Sequence, residues 1–381
     1  MKTVLVFIDW FLPGYKAGGP IRSVANMIDH LAGQYRFYII TRDTDYCETI
    51  PYAAVQSDAW NEYLPGVEVY YFSKENLNRK NMLRVIESVD FDVAYINGVY
   101  SWHFSILPLI LLKKTNARIV VASRGMLSGQ ALGVKGLKKR LFLWMAKTAG
   151  LYKRVIFQST SNQESKDIKR QIGAKAVEMP TPNLPTKSRQ NARRLLFKNP
   201  GELRLINIAR VSPEKNNEFA VSLLKMCAGI RVSLDLYGPV YDKEYYERCR
   251  EQAKKLPPEV RVRFMGPAAP EELEGLLAQY HFLLFPSTGE NFGHAIYEAF
   301  AVGVPVIVSD RTPWRNLAAA GAGWDLPLED PDKWANVLRK CYEMDQEEYD
   351  ALCEGARGIA RKYIDESDFI AKYDRLFGAQ V

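Results

Sequence analysis

The chain has 381 residues, 47% of them hydrophobic and 25% charged, with a formal net charge of +7. At roughly 100 to 200 residues per domain this is a soluble globular composition with room for two cores, and it excludes disordered, collagenous and coiled-coil chains. The five cysteines (Cys47, Cys227, Cys249, Cys341 and Cys353) are odd in number and lack Cys-x-x-Cys spacing, so no disulfide framework or zinc site is expected and a reducing cytoplasm is the simplest compartment.

The first element is an apolar run over residues 4–8, cut by Asp9 and by Pro13-Gly14. It is too short for a signal peptide and reads as a buried strand. Residues 14–22 follow, with paired Gly18 and Gly19 ahead of Pro20, Arg22 and a helical pattern. Such glycines let a backbone approach a ligand, and the helix start behind them favours anions. Further strands are predicted over residues 35–41, 67–72, 92–96, 118–123 and 154–159, alternating with helical stretches, which implies βα units around a mostly parallel sheet. The apolar run over residues 106–112 is well short of the roughly 20 residues of a membrane span.

Residues 1–190 hold 26 Lys and Arg against 15 Asp and Glu, while the remainder holds 25 against 29. The basic half is therefore the one suited to an anionic partner. No nucleic-acid module is recognisable, so nucleic acid is not expected. Residues 136–154 interleave Lys138, Lys139, Arg140, Lys147, Lys153 and Arg154 with large apolar residues. That pattern fits a helix on an anionic membrane surface, and equally a core helix with a cationic solvent face.

Three prolines in residues 180–185 predict a linker, and a second βα series follows: residues 203–208, 231–236, 260–264, 281–285 and 304–308. The boundaries are then a first domain over 1–182, a linker over 183–199 and a second domain over 200–359, with a closing amphipathic helix within 360–381. Its stripe is Phe369, Ile370, Tyr373, Leu376 and Phe377. Doubly wound domains bind ligands at the carboxyl ends of their strands.

Two spacings there carry chemistry. Arg210 and Lys215 follow the first strand of the second series, and a guanidinium with an ammonium five residues on suits a diphosphate. Glu290 and Glu298 bracket a strand–loop–helix segment. With a helix starting near Asn291 they stand roughly 12 Å apart, too far for a glycosidase acid/base pair but right for gripping an elongated ligand at two places. His294 and Glu298 share a helix face, yet with no second His nearby a catalytic metal is not expected. Thr312-Pro-Trp314-Arg315 offers a flat aromatic face and a cation. The loops at Tyr237-Gly-Pro239 and Pro267 are where a nucleotide base is expected.

Together these motifs resemble the Arg-x4-Lys and Glu-x7-Glu elements of retaining nucleotide-sugar glycosyltransferases of family 4 (glycosyltransferase group 1), of the bacterial polysaccharide-assembly type. The resemblance implies the α/β GT-B fold, two doubly wound Rossmann-like domains facing a cleft, with the last helix returning to the first domain. It implies that Glu290 and the N–H groups of Asn291, Phe292 and Gly293 lie at the donor sugar, that Glu298 binds the ribose, and that Arg210 and Lys215 hold the donor diphosphate opposite Gly18 and Gly19. No cofactor or metal is then needed. Residues 97–103 and 123–128 resemble acceptor-side loops, in which this chain has Arg124 where many members have His, leaving His103 as the upstream candidate. The implied reaction is sugar transfer from a nucleoside-diphosphate donor to a glycan hydroxyl, lipid-linked, in lipopolysaccharide, capsule or exopolysaccharide assembly, by a cytoplasmic or peripheral membrane enzyme. A nucleotide-sugar epimerase and a catalytically idle nucleotide-binding scaffold remain the alternatives.

Overall fold

The computed structural model describes residues 1–133, 136–187 and 196–378, which fall into two compact units, one of residues 1–187 with the chain end from 367, the other of residues 188–366. The first unit is built on eight strands: β1 (Lys2–Phe7), β2 (Tyr35–Arg42), β3 (Trp60–Leu64), β4 (Val67–Phe72), β5 (Val93–Asn97), β6 (Arg118–Ala122), β7 (Val155–Ser159) and β8 (Val177–Pro180). Their order in the sheet is β3-β4-β2-β1-β5-β6-β7-β8, and only β3 runs antiparallel, against β4. A parallel strand covered on both faces needs a continuous apolar run rather than alternation. Residues 4–7 of β1 meet that demand, all with 0% exposure.

The second unit has six strands, β9 (Leu203–Ile208), β10 (Val232–Tyr237), β11 (Val260–Gly266), β12 (Phe282–Phe285), β13 (Val306–Ser309) and β14 (Gly323–Leu326). Their order is β11-β10-β9-β12-β13-β14 with every pairing parallel. In each sheet the chain builds outward in one direction and then reverses. The reversal falls between β1 and β5 in the first unit and between β9 and β12 in the second, and at such a point the loops leaving the two strands diverge to opposite faces and open a crevice.

The sequence expectation omits β3, β8 and β14. β3 is half-exposed along its length, and β8 holds Glu178 and ends on Pro180, which an edge strand tolerates. The proline-rich stretch is not a free linker. Gln158 Nε2 donates to Thr181 O at 2.9 Å, Asn26 Nδ2 donates to Leu184 O at 3.0 Å, and a ring nitrogen of His30 lies 2.9 Å from Pro185 O, so residues 181–185 pack on the first unit. Of the expected linker over 183–199, residues 188–195 lie outside the described residues.

Residues 360–366 belong to the long helix Gln346–Glu366 of the second unit, and the chain returns to the first unit through the helix Phe369–Phe377. Tyr373, Leu376 and Phe377 are fully buried there, whereas Ile370, expected on the same stripe, is exposed. The carboxyl end of this helix is met by cations. Arg118 Nε donates to Leu376 O at 2.8 Å and Lys2 Nζ to Phe377 O at 3.3 Å, answering both the unpaired carbonyls and the negative end of the helix dipole.

Candidate functional site

The carboxyl ends of β9 and β12 are neighbours, and the loops that leave them are bonded to each other. Thr288 N donates to Glu214 O at 2.9 Å, and Ser287 Oγ lies 3.0 Å from the same carbonyl. The loop carrying Arg210 and Lys215 is thereby tied to the loop carrying Glu290. The consequence is an ion pair between Lys215 Nζ and Glu290 Oε1, two side chains only 18% and 11% exposed. Ser287 Oγ, 2.7 Å from Glu290 Oε1, holds the carboxylate from below, and the Lys215 ammonium lies 5.5 Å from the centre of the Phe285 ring. Removing either partner of a pair this enclosed leaves a charge with little water to solvate it, a cost of about 3 kcal/mol or more for a fully buried pair and less here.

Arg210 stands more open, 37% exposed, with NH2 3.5 Å from Glu214. Glu298 is half-buried on the helix His294–Val302. That helix begins three residues later than the sequence suggests, so Glu290 lies in the loop and not on the helix, and a purely helical spacing between the two carboxylates does not apply. The cause is Gly293, which precedes the helix at φ 78, a left-handed conformation that a glycine adopts without a Cβ penalty. Asn291, Phe292 and Gly293 form the turn between Glu290 and the helix.

Trp314 does not offer a free ring. It is 9% exposed, packs against Phe292, Tyr297, Phe300 and Tyr363, and donates Nε1–H to Phe292 O at 2.6 Å. Its work is to pin the turn after Glu290. Arg315 Nε lies 3.1 Å from Asp325 on β14, which holds that guanidinium at the sheet edge. Tyr237 and Tyr280 hydroxyls lie 3.4 Å apart, and Tyr280 donates to Asp235 at 2.6 Å, a network that also includes Arg263.

In the first unit, Gly18 has φ 74 and Gly19 opens the helix Gly19–Leu31, with Pro20 in its first turn and Arg22 behind it. The loop before them is clamped by Asp45, a residue sequence reading missed. Its carboxylate accepts from Tyr15 N at 3.0 Å and Lys16 N at 3.2 Å. Arg124, at φ 52, is hydrogen-bonded within its own unit. It donates from Nε to Asn97 at 2.7 Å, from NH2 to Tyr95 OH at 2.7 Å and from NH1 to Asn183. His103 lies on the π-helical turn Trp102–Ile106, well apart in sequence and partners from Arg124; burial and the nearby Arg42 hold its ring below the usual imidazole range, against the pull of Asp9. Asp45 and Ser287 carry no spacing signal, since each acts through a backbone or a single side chain brought close only by the fold.

The doubly wound units and their crevice-edge loops define an α/β protein of the GT-B fold. The Anabaena protein Alr3699/HepE, solved in complex with UDP and glucose, superposes with a TM-score of 0.73 at 17% identity over 98% of this chain and 99% of its own. Residues 188–358 match the family described as glycosyl transferases group 1. A D-inositol 3-phosphate glycosyltransferase of Corynebacterium jeikeium is 34% identical over 119 residues, 31% of this chain and 28% of that protein. An alpha-monoglucosyldiacylglycerol synthase of Streptococcus pneumoniae is 27% identical over 197 residues, 46% of this chain and 43% of that protein. The chain thus spans less than half the length of these curated relatives.

Replacing Trp314 by Phe keeps the ring packing and removes the donor to Phe292 O. Leaving that carbonyl unpaired is expected to cost about 1 to 3 kcal/mol. For a unit of 150 to 250 residues this lowers Tm by about 2 to 4 °C per kcal/mol, measurable by differential scanning calorimetry. An unchanged Tm would mean that Trp314 does not pin the turn.

Proposed function

We propose that this protein is a retaining glycosyltransferase that moves a sugar from a nucleoside-diphosphate donor to a hydroxyl of a glycan acceptor, lipid-linked, in cell-surface polysaccharide assembly. The observation that carries the reading is the Lys215–Glu290 pair at the β9/β12 reversal, with Arg210 open beside it on the same loop. When a donor binds, the diphosphate draws Lys215 and Arg210 onto its oxygens, and Glu290, relieved of its lysine, accepts hydroxyl hydrogens from the sugar. Glu298 on the following helix takes the ribose. As the glycosidic bond breaks, negative charge grows on the leaving diphosphate and the two cations stabilise it, so no metal is required. The diphosphate itself then takes the acceptor proton, on the face from which it leaves. Similarity to a relative named for making a glucosyldiacylglycerol supports a lipid-bearing acceptor.

Membrane association is part of this proposal. On the helix Gly136–Thr148, Leu143 and Ala146 are buried while Leu137, Leu141, Trp144 and Met145 are 85%, 56%, 62% and 48% exposed. Those four recur at four-, three- and one-residue intervals, one stripe of a helix, flanked by Lys138, Arg140 and Lys147. An exposed apolar stripe edged by cations fits the interface of an anionic leaflet. Among the described residues no helix is long and apolar enough to cross a membrane.

Two measurements test the proposal. The first is turnover with nucleotide sugars. Lys215→Ala and Arg210→Ala should each lower kcat by about 100-fold or more, as loss of a transition-state charge partner does, with smaller changes in donor affinity. Activity should persist in EDTA. Loss in EDTA that added divalent metal restores would overturn the metal-free assignment.

The second is sedimentation with vesicles containing phosphatidylglycerol. Each Lys or Arg near such a surface contributes about 1 kcal/mol, so wild-type protein should pellet at low salt and be released as salt screens the charge. Replacing Leu141 and Trp144 by Ser should abolish pelleting. Wild-type protein that stays in solution at low salt would remove the membrane from the account.

A further inference from the structure

The turn Asn291-Phe292-Gly293 is irregular backbone between Glu290 and the helix His294–Val302. Its anchor is Phe292, a side chain 7% exposed. The Phe292 ring centre lies 4.8 Å from that of His294, 6.0 Å from Tyr297, 5.5 Å from Trp314 and 5.5 Å from Tyr363. His294 and Tyr297 belong to the helix that follows the turn, so they move with it. Trp314 and Tyr363 come from elsewhere in the unit, and contacts of that kind fix where the turn stands.

Tyr363 reaches the turn because of the pattern on its own helix. Along Gln346–Glu366 the buried Tyr349, Cys353, Ala356 and Ala360 recur at four- and three-residue intervals, and Tyr363 is the next position of that stripe. Ala356 and Ala360 share a buried cluster with Ile296, Tyr297 and Phe300 of the helix His294–Val302. Their small side chains let the two helices approach closely. A Cβ on Gly303, at the end of the helix His294–Val302, would stand 2.6 Å from Arg357 Nε. At the other end of this approach the stripe changes from alanine to tyrosine, and the Tyr363 ring comes within 5.6 Å of Tyr297 and 5.5 Å of Trp314 as well as Phe292. These separations and tilted arrangements are the favourable ones for aromatic pairs.

The two carboxylates are therefore held by different means. Glu298 stands on regular helix, whose own hydrogen bonds keep it in place. Glu290 precedes a turn that depends on the rings braced against Phe292. Losing the Tyr363 ring loosens the Glu290 end of the site and spares the Glu298 end.

We infer that Tyr363 is a positioning residue for the donor sugar: its ring braces Phe292, and through it the turn after Glu290. The inference rests on the transferase reading, in which Glu290 meets the sugar and Glu298 the ribose. Tyr363 then contributes to affinity for a nucleotide sugar and not to affinity for the bare nucleoside diphosphate.

The test uses the full chain with Tyr363→Leu and Tyr363→Phe. A thermal-shift panel of UDP, GDP, ADP and dTDP and of their hexose derivatives selects the pair that stabilises wild-type protein most, and calorimetric titration gives both Kd values. Tyr363→Leu should raise Kd for the nucleotide sugar about 3- to 10-fold, the range of one aromatic ring pair, and that for the nucleoside diphosphate by less than about 2-fold. Tyr363→Phe, which keeps the ring, should match wild type for both. Without ligand, amide hydrogen exchange over residues 291–293 should be about 3-fold or more faster in Tyr363→Leu than in the other two proteins. Tyr363→Met takes the place of the leucine variant if that one fails to melt cooperatively. Equal loss of affinity for both ligands, unchanged affinity for the nucleotide sugar, or unchanged exchange in the turn overturns the positioning role. Wild-type protein that no nucleotide or nucleotide sugar stabilises, with exchange in the turn still faster in Tyr363→Leu, overturns the transferase reading and keeps Tyr363 as the brace of the turn.

Discussion

The ion pair between Lys215 and Glu290 depends on one feature of chain topology, the adjacency of β9 and β12 in a sheet whose strands otherwise run outward from them. Seventy-odd residues separate the two side chains in sequence, and only the reversal of direction between these strands brings their loops together. Burial makes the pair matter. At 18% and 11% exposure, neither charge can be left alone cheaply, so each is held until a better partner arrives. A diphosphate is such a partner for the ammonium, and sugar hydroxyls are for the carboxylate. On the proposed reading the free protein keeps these two charges paired with each other, and donor binding would exchange one set of contacts for another instead of desolvating bare ions.

Around this pair the second unit spends neutral contacts on rigidity. Ser287 and Thr288 fasten one loop to the Glu214 carbonyl, and Trp314 fastens the turn after Glu290 from the core side. The first unit uses the same topology differently. Its reversal gathers Asp9, Arg42 and Ser101, in which opposite charges are already compensated.

Much of this was legible in the sequence. The strands at the centre of each sheet announce themselves because burial on both faces demands unbroken apolar runs, and the Arg-x4-Lys and Glu-x7-Glu spacings can be read because each lies within one continuous segment of chain. The edge strands β3, β8 and β14 were not legible, since a half-exposed strand carries no such run. Nor was the fate of individual aromatics and cations. Trp314 looked like a ligand face and is a buried anchor, and the bonds of Arg124 to Tyr95, Asn97 and Asn183 carry no spacing signal. Both depend on partners distant in sequence. The delayed helix start at His294 follows from a single left-handed glycine, and the packing of residues 181–185 from main-chain carbonyls that composition does not reveal.

The most direct test of the exchange is a double-mutant cycle at Lys215 and Glu290, read by calorimetric titration with whichever nucleoside diphosphate stabilises the protein most. Lys215→Met should weaken diphosphate binding, because a cation is lost. Glu290→Gln should strengthen it, because the lysine is no longer held by a carboxylate, and in the Lys215→Met background the same change should have little effect. Weaker diphosphate binding by Glu290→Gln alone, or equal effects of that change in both backgrounds, would show that the pair does not open to receive the donor.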